Sequence, residues 1–233
     1  MSAKVWSLAM LVLVAFAAPG SARADPQQYF VTYVEFQPAF KEVGGELLEQ
    51  LANLAKPGQN KGVVRFSVYP EIGRPNFYVL IEIWDSADSR KTFEARPKTQ
   101  ALLDAIQPLL EAPFDERPGT LITAGKVSQK GAQPGEIEVV THIDIIPDFL
   151  ANAQQPIMDF VTDSGKDPGV REFLLVSWLN ITNHFQLIER FRDMRAFNTH
   201  VSAPHTVTFR NTIQNPAQPF VGAPYDERLY RAD

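Results

Sequence analysis

NFYVLIEIWDSADSRKTFEARPKTQALLDAIQPLLEAPFDER, residues 76–117, is a stretch that this chain writes twice. It reads as a buried strand ending in Leu80-Ile81-Glu82-Ile83-Trp84, a helix, a second helix opened by Pro97, and a strand opening with Pro113 to Arg117. The same grammar returns over residues 183–228. Leu187-Ile188-Glu189 answers Leu80-Ile81-Glu82 and Pro204 answers Pro97, both at an offset of 107 (187 − 80 = 204 − 97). Pro224 to Arg228 answers Pro113 to Arg117 after a slip of four residues, which an extra loop around Pro216 to Gly222 accounts for. An internal repeat fixes architecture before any other signal does. Here it implies two copies of a domain of about 100 residues, an ordinary domain size.

Outward from that stretch, each copy reads β-α-β-β-α-β. In the first, Tyr29 to Gln37 is a β-branched and aromatic strand with Phe30, Val34 and Phe36 on one face and Tyr29, Val31 and Tyr33 on the other. A strand apolar on both faces must be covered on both. Pro38 opens a helix with apolar residues at three- and four-residue steps, ended by Pro57-Gly58. Strands follow over Val63 to Glu71 and Phe77 to Trp84, then helices from Ser86 to Arg96 and from Pro97, and a closing strand from Phe114 to Ala124. The second copy repeats the order from Glu136 to Arg231, with Pro156 expected to kink its first helix. The expected fold class is α+β, with tandem ferredoxin-like domains over residues 28–124 and 136–233 and a linker over 125–135. Two helices cover one sheet face of each copy. The other faces are expected to cover each other, sheet to sheet, as an intrachain α+β barrel.

Composition bounds the function. The chain has 233 residues, and Lys4, an apolar run from Val5 to Ala18 and Ala22-Arg23-Ala24 have the form of a cleaved export signal over residues 1–24. Export to the periplasm or beyond is the expectation, with no membrane attachment after cleavage. The mature charge would be (22 − 2) − 27 = −7, with no basic cluster, which argues against a nucleic-acid partner. Cysteine is absent, so there are no disulfides, thiolate nucleophiles or iron–sulfur ligands. There is no G-x-G-x-x-G and no phosphate loop, so a nucleotide cofactor has no evident seat.

Both copies resemble the antibiotic-biosynthesis-monooxygenase domain, a family of dimeric α+β barrels. The likeness rests on Phe77-x-x-Leu80-Ile81-Glu82-x-Trp84, and on Phe185-x-Leu187-Ile188-Glu189 followed by His200-x-x-x-Pro204-His205. It implies oxygenation of quinol-like or polycyclic aromatic substrates by dioxygen, without metal, flavin or other cofactor. Such chemistry needs a dry aromatic pocket, a base and donors for an enolate oxygen. A non-catalytic carrier or sensor of small apolar ligands is the alternative. Haem degradation is the branch least resembled, because the first strands lack its asparagine.

The residue set is divided between the copies. The first has Trp84 but carries Phe93 and Lys98 at the two family histidine positions; the second has His200 and His205 but Phe191 in place of the tryptophan. His200 or His205 is therefore the expected base of a second pocket lined by His142, Glu189 and Phe191. Tyr33, Glu82 and Trp84 would bind substrate in the first. Glu82 and Glu189, set in apolar strands, require partners, for which Arg117 and Arg228 are the natural candidates. His200 and His205 stand five apart with Pro204 between, unlike an i, i+4 metal pair, so no metal site is expected.

Overall fold

The computed structural model describes residues 27–128, 131–215 and 226–232. The expected export signal over residues 1–24 and the segment Pro216 to Tyr225 lie outside these. Eight strands form one closed antiparallel barrel: β1 (Gln28–Glu35), β2 (Val63–Glu71), β3 (Arg74–Trp84), β4 (Asp115–Lys126), β5 (Ile137–Asp144), β6 (Val170–Trp178), β7 (His184–Phe191) and β8 (Asp226–Arg231). Their order around the barrel is β1-β3-β2-β8-β5-β7-β6-β4. Each repeat thus contributes a four-stranded sheet, β4-β1-β3-β2 and β8-β5-β7-β6.

Among the described residues six α-helices lie outside: α1 (Lys41–Leu54), α2 (Ala87–Glu94) and α3 (Pro97–Ile106) on the first sheet, α4 (Leu150–Ser164), α5 (Met194–Val201) and α6 (Pro204–Ile213) on the second. Ser86 caps α2 by accepting from the Ser89 N–H, and Asp193 caps α5 from Ala196; a capped first turn is stabilised by about 1 kcal/mol. Among the described residues no helix is long and apolar enough to cross a membrane. α4 is one helix from Leu150 to Ser164 with Pro156 inside it.

Strand alternation sorts the side chains into three cores. Phe30, Val34 and Phe36 pack outward with Leu48, Leu51, Trp84, Phe93 and Ile106 beneath the first helices. Ile137, Val139 and Ile143 pack outward with Phe160, Val161, Phe173 and Phe209 beneath the second. Tyr29, Val31 and Tyr33 face the lumen, where they meet Tyr69, Ile81, Val140, Leu174, Ile188 and Tyr230. The lumen is therefore a core both repeats share.

The repeats also join at their edges, by unequal seams. β4 and β6 pair from Gly119↔Trp178 to Lys126↔Phe173. β2 and β8 are registered only at Glu71↔Tyr230, with Ile72 N–H donating to the Leu229 carbonyl at 2.8 Å. The same tight turn enters β2 and β6. Gly62 and Gly169, 107 apart, take φ of 89° and 88°, and a Cβ at either would strike Ser89 or Ala196.

Candidate active site

Strand parity divides the residues singled out from sequence. Glu82 and Trp84 point outward under α2 and α3, and Glu189, Phe191 and His200 occupy the equivalent space under α4, α5 and α6. Tyr33 and His142 sit on the opposite faces of their strands and belong to the lumen. The expectation that Tyr33 lines a pocket with Trp84, and His142 one with Glu189, is therefore corrected. Thr32 and Thr141, one residue earlier and themselves equivalent (141 − 32 = 109), take those places.

The first repeat holds a cavity of about 110 Å³ lined by Thr32, Phe66, Leu80, Glu82, Arg90, Phe93, Thr99 and Phe114, among others. Glu82 is buried. Its Oε2 accepts from Trp84 Nε1 at 2.8 Å and from Arg90 Nε at 3.0 Å, and Oε1 takes one longer contact from Arg90 at 3.4 Å. Arg90 also binds Glu116 and lies over the Phe30 ring, 3.9 Å from its centroid. The partner of Glu82 is thus Arg90 on α2, not Arg117. Arg117 and Arg228 face the lumen and bind Asp115 and Asp226, two residues before them. The hydroxyls of Thr32 and Thr99, both buried, have no hydrogen-bond partner. A buried hydroxyl left without a partner costs about 1–3 kcal/mol.

Among the described residues, the equivalent space in the second repeat holds two aromatic rings where the first has leucines. Phe160 replaces Leu51, and Phe209 replaces Leu102 (160 − 51 = 109; 209 − 102 = 107); their rings stack at 4.0 Å. Phe197 replaces Arg90, so Glu189 has no guanidinium beside it from α5. Burial, reinforced by Glu227, pushes Glu189 well above the usual carboxylate range. Both threonines are satisfied here: Thr141 Oγ1 donates to Glu189 at 3.2 Å, and Thr206 Oγ1 lies 3.5 Å from His200 Nδ1. His200 is packed among Phe160, Phe173 and Phe191, with its Nδ1 2.8 Å from Asp167 Oδ2. Burial lowers its pKa against the pull of Asp167. His205 Nε2 reaches the same Asp167 oxygen at 3.1 Å. The two expected bases therefore meet each other at a shared carboxylate.

At one mouth of the barrel, Tyr33 lies between the guanidinium groups of Arg117 and Arg228, 4.4 and 4.9 Å from its centroid. Burial pushes its hydroxyl up to about 12. His142 stacks on Trp178 at 4.8 Å and meets His184 at 3.1 Å, which in turn reaches Asp144 at 3.2 Å. Burial first, then Arg117 and His184, hold His142 down to about 4, so it is neutral at pH 7.

Sequence reading missed Thr32, Thr99, Arg90 and Asp167. The threonines carried a signal, since each recurs at the repeat offset (206 − 99 = 107) inside an apolar element. Arg90 carried none, because the second repeat has phenylalanine there.

No model of a known protein family matches the sequence, and no curated protein matches it. Solved structures do match over nearly the whole chain. A provisionally named monooxygenase of Fusobacterium nucleatum aligns with a TM-score of 0.78 at 14% identity, covering 88% of this chain and 92% of its own. A second, from Lactobacillus acidophilus, aligns at 0.70 and 11% identity, covering 88% and 93%. An anthrone oxidase-like protein aligns at 0.65 and 12% identity, covering 89% and 91%. The chain therefore has the α+β barrel fold of these monooxygenase-named proteins.

Proposed function

We propose that the protein is a monooxygenase whose reaction site is the cavity of the first repeat. The carrying observation is the contrast between equivalent threonines. Thr141 and Thr206 bond within the protein, whereas Thr32 and Thr99 leave their hydroxyls unpaired around a cavity that also holds a carboxylate and a guanidinium. Such groups await a ligand. The monooxygenase-named proteins of the same fold support the class of reaction. In this reading each repeat is a ferredoxin-like unit, and the second serves as the scaffold that closes the barrel.

The cavity narrows the substrate. A space of about 150 Å³ holds benzene, and this cavity of about 110 Å³ is smaller but partly open to solvent. We therefore propose a single-ring substrate that lies partly in its mouth rather than a fused polycycle. A single-ring quinol suits the site: its hydroxyls would meet Thr32 and Thr99, and Glu82 Oε1 would accept a proton. The reaction balances as quinol plus dioxygen giving hydroxyquinone plus water. The quinolate passes electrons to dioxygen, one oxygen atom forms a bond to the ring, and the other leaves as water. We propose no cofactor for this chemistry.

Oxygen uptake with a hydroquinone and anthrone panel tests the proposal. Single-ring quinols should be consumed with hydroxyquinone formed, and Glu82→Gln should lower turnover by about 10²-fold or more, the scale of losing a general base. His200→Gln should leave turnover near wild type. Undiminished turnover in Glu82→Gln, or its loss in His200→Gln alone, would move the site to the second repeat. Ligand binding at the cavity without oxygen uptake would favour the carrier reading. Action outside the cytoplasm is proposed from the N-terminal sequence, and mature material should begin at Asp25 by mass spectrometry.

A further inference from the structure

Asp167, His200 and His205 are not used by the proposed reaction, and their geometry has a chemistry of its own. We infer that these three residues bind a divalent transition-metal ion of the zinc class. Asp167 Oδ2, His200 Nδ1 and His205 Nε2 all lie within 4.8 Å of one another. Both nitrogens converge on the same carboxylate oxygen, at 2.8 and 3.1 Å. Neighbouring ligands each about 2.1 Å from one tetrahedral ion stand about 3.4 Å apart. The two short separations would therefore open by a few tenths of an ångström, and the third, within 4.8 Å, would settle near the same value. His205 Nε2 is buried and, although 3.1 Å from the carboxylate, makes no hydrogen bond. A nitrogen so placed has its lone pair free for a metal.

The five-residue spacing rules out a pair on one helix face, but not one across a helix break. His200 is the penultimate residue of α5 and His205 the second of α6, so the break before Pro204 is what brings them together. Asp167 comes from the turn after α4, and an ion here would tie three elements at one corner. Behind His200, its Nε2 faces Glu189 Oε2 at 3.9 Å, beyond hydrogen-bond reach. Two imidazoles and one carboxylate suit zinc, cobalt or nickel rather than magnesium or calcium, which prefer oxygen alone. Three protein ligands leave a further coordination position for water.

The first repeat serves as an internal control. The equivalent positions are Asn60, Phe93 and Lys98 (167 − 60 = 200 − 93 = 205 − 98 = 107), which offer no comparable ligand set. That corner is closed by Arg96 donating to the Asn60 side chain. The fold therefore does not require the histidine–aspartate group, and its presence in one repeat is a local specialisation.

Tag-free protein stripped with chelator should bind one zinc ion per chain by calorimetry, and cobalt(II) in its place should show ligand-field absorption bands. His205→Lys, which installs the first repeat's residue, and Asp167→Asn should each weaken binding by about 100-fold or more while retaining the wild-type circular dichroism spectrum. His142→Ala should bind as wild type. Zinc should raise the melting temperature of wild type and not of His205→Lys. Absence of zinc and cobalt binding tighter than about 100 µM would overturn the inference. So would binding unaffected by His205→Lys and Asp167→Asn, or lost in His142→Ala. None of these readouts depends on turnover, so the proposed oxygenase could fail with the metal site intact.

Discussion

Thr99 makes a useful pair of opposite predictions. Its hydroxyl is buried and without a partner, so replacing it by an isosteric apolar group removes a desolvated donor and costs no hydrogen bond. Thr99→Val should therefore leave stability unchanged or raise it by about 1 kcal/mol in urea unfolding. It should weaken binding of a single-ring quinol by roughly 10-fold, the value of one hydrogen bond at about 1.4 kcal/mol. A loss of stability with unchanged binding would show that the hydroxyl serves the fold and not a ligand. Arg90 predicts the converse. Arg90→Phe copies the second repeat but strands a buried carboxylate, and it should destabilise by about 3 kcal/mol or more. Glu82 and Trp84 do share a face, as i and i+2 on a strand must. Trp84, however, is fully buried behind Glu82 and is not in the cavity lining, so the expectation that it binds substrate there is corrected. Sequence reading misassigned Tyr33 and His142 because pocket membership on a strand changes with every residue, and nothing in a doubly apolar strand marks which face meets the helices.

At the scale of elements, strand and helix order were legible in the alternation and in the prolines that open α3 and α6, and the structure follows that order throughout the described residues. What periodicity could not reveal is where charged residues on separate strands meet. Arg65 on β2 crosses the lumen to Glu138 on β5 at 2.8 Å and to Glu172 on β6, its own repeat equivalent (172 − 65 = 107). Burial outweighs the guanidinium and raises Glu138 to about 7. A raised carboxylate pKa means that the folded state holds a proton the unfolded state has released. This contribution to stability is full below about 4.5, declines as pH rises, and is gone above about 7. Wild type should lose up to about 3 kcal/mol between those limits from this group. Glu138→Gln, which cannot ionise, should flatten that part of the stability–pH curve, as measured by denaturant unfolding at half-unit pH steps. A curve of unchanged slope would exclude Glu138 as its source.

The whole molecule was legible in outline, because a repeat whose strands are apolar on both faces has to bury its second face against something. The unequal seams were not, since edge pairing leaves little trace in side-chain type. They decide how the molecule comes apart. At the long seam α4 of the second repeat presses on β4 of the first so closely that a Cβ at Gly125 would stand 1.9 Å from the Val161 carbonyl oxygen. Backbone cannot yield there as a flexible side chain would, so Gly125→Ala should cost about 1–3 kcal/mol. Cutting the chain between the repeats is the stronger test. Either half alone would expose its lumen face, and with it Tyr29, Val31 and Ile81 or Val140, Leu174 and Ile188, together with the unpaired edge of β4 or β6. An apolar sheet face and an open strand edge both drive association. Residues 28–124 and 136–233, expressed separately, should each form a homodimer or aggregate in sedimentation. Mixed in equal amounts during refolding, they should recover a 1:1 complex with the spectrum of the intact chain. The first half should do better alone than the second, because its lumen face lacks the carboxylates Glu138 and Glu172, which Arg65 neutralises across the barrel. A soluble, monodisperse monomer of either half would mean that the shared lumen is not what holds the two repeats together.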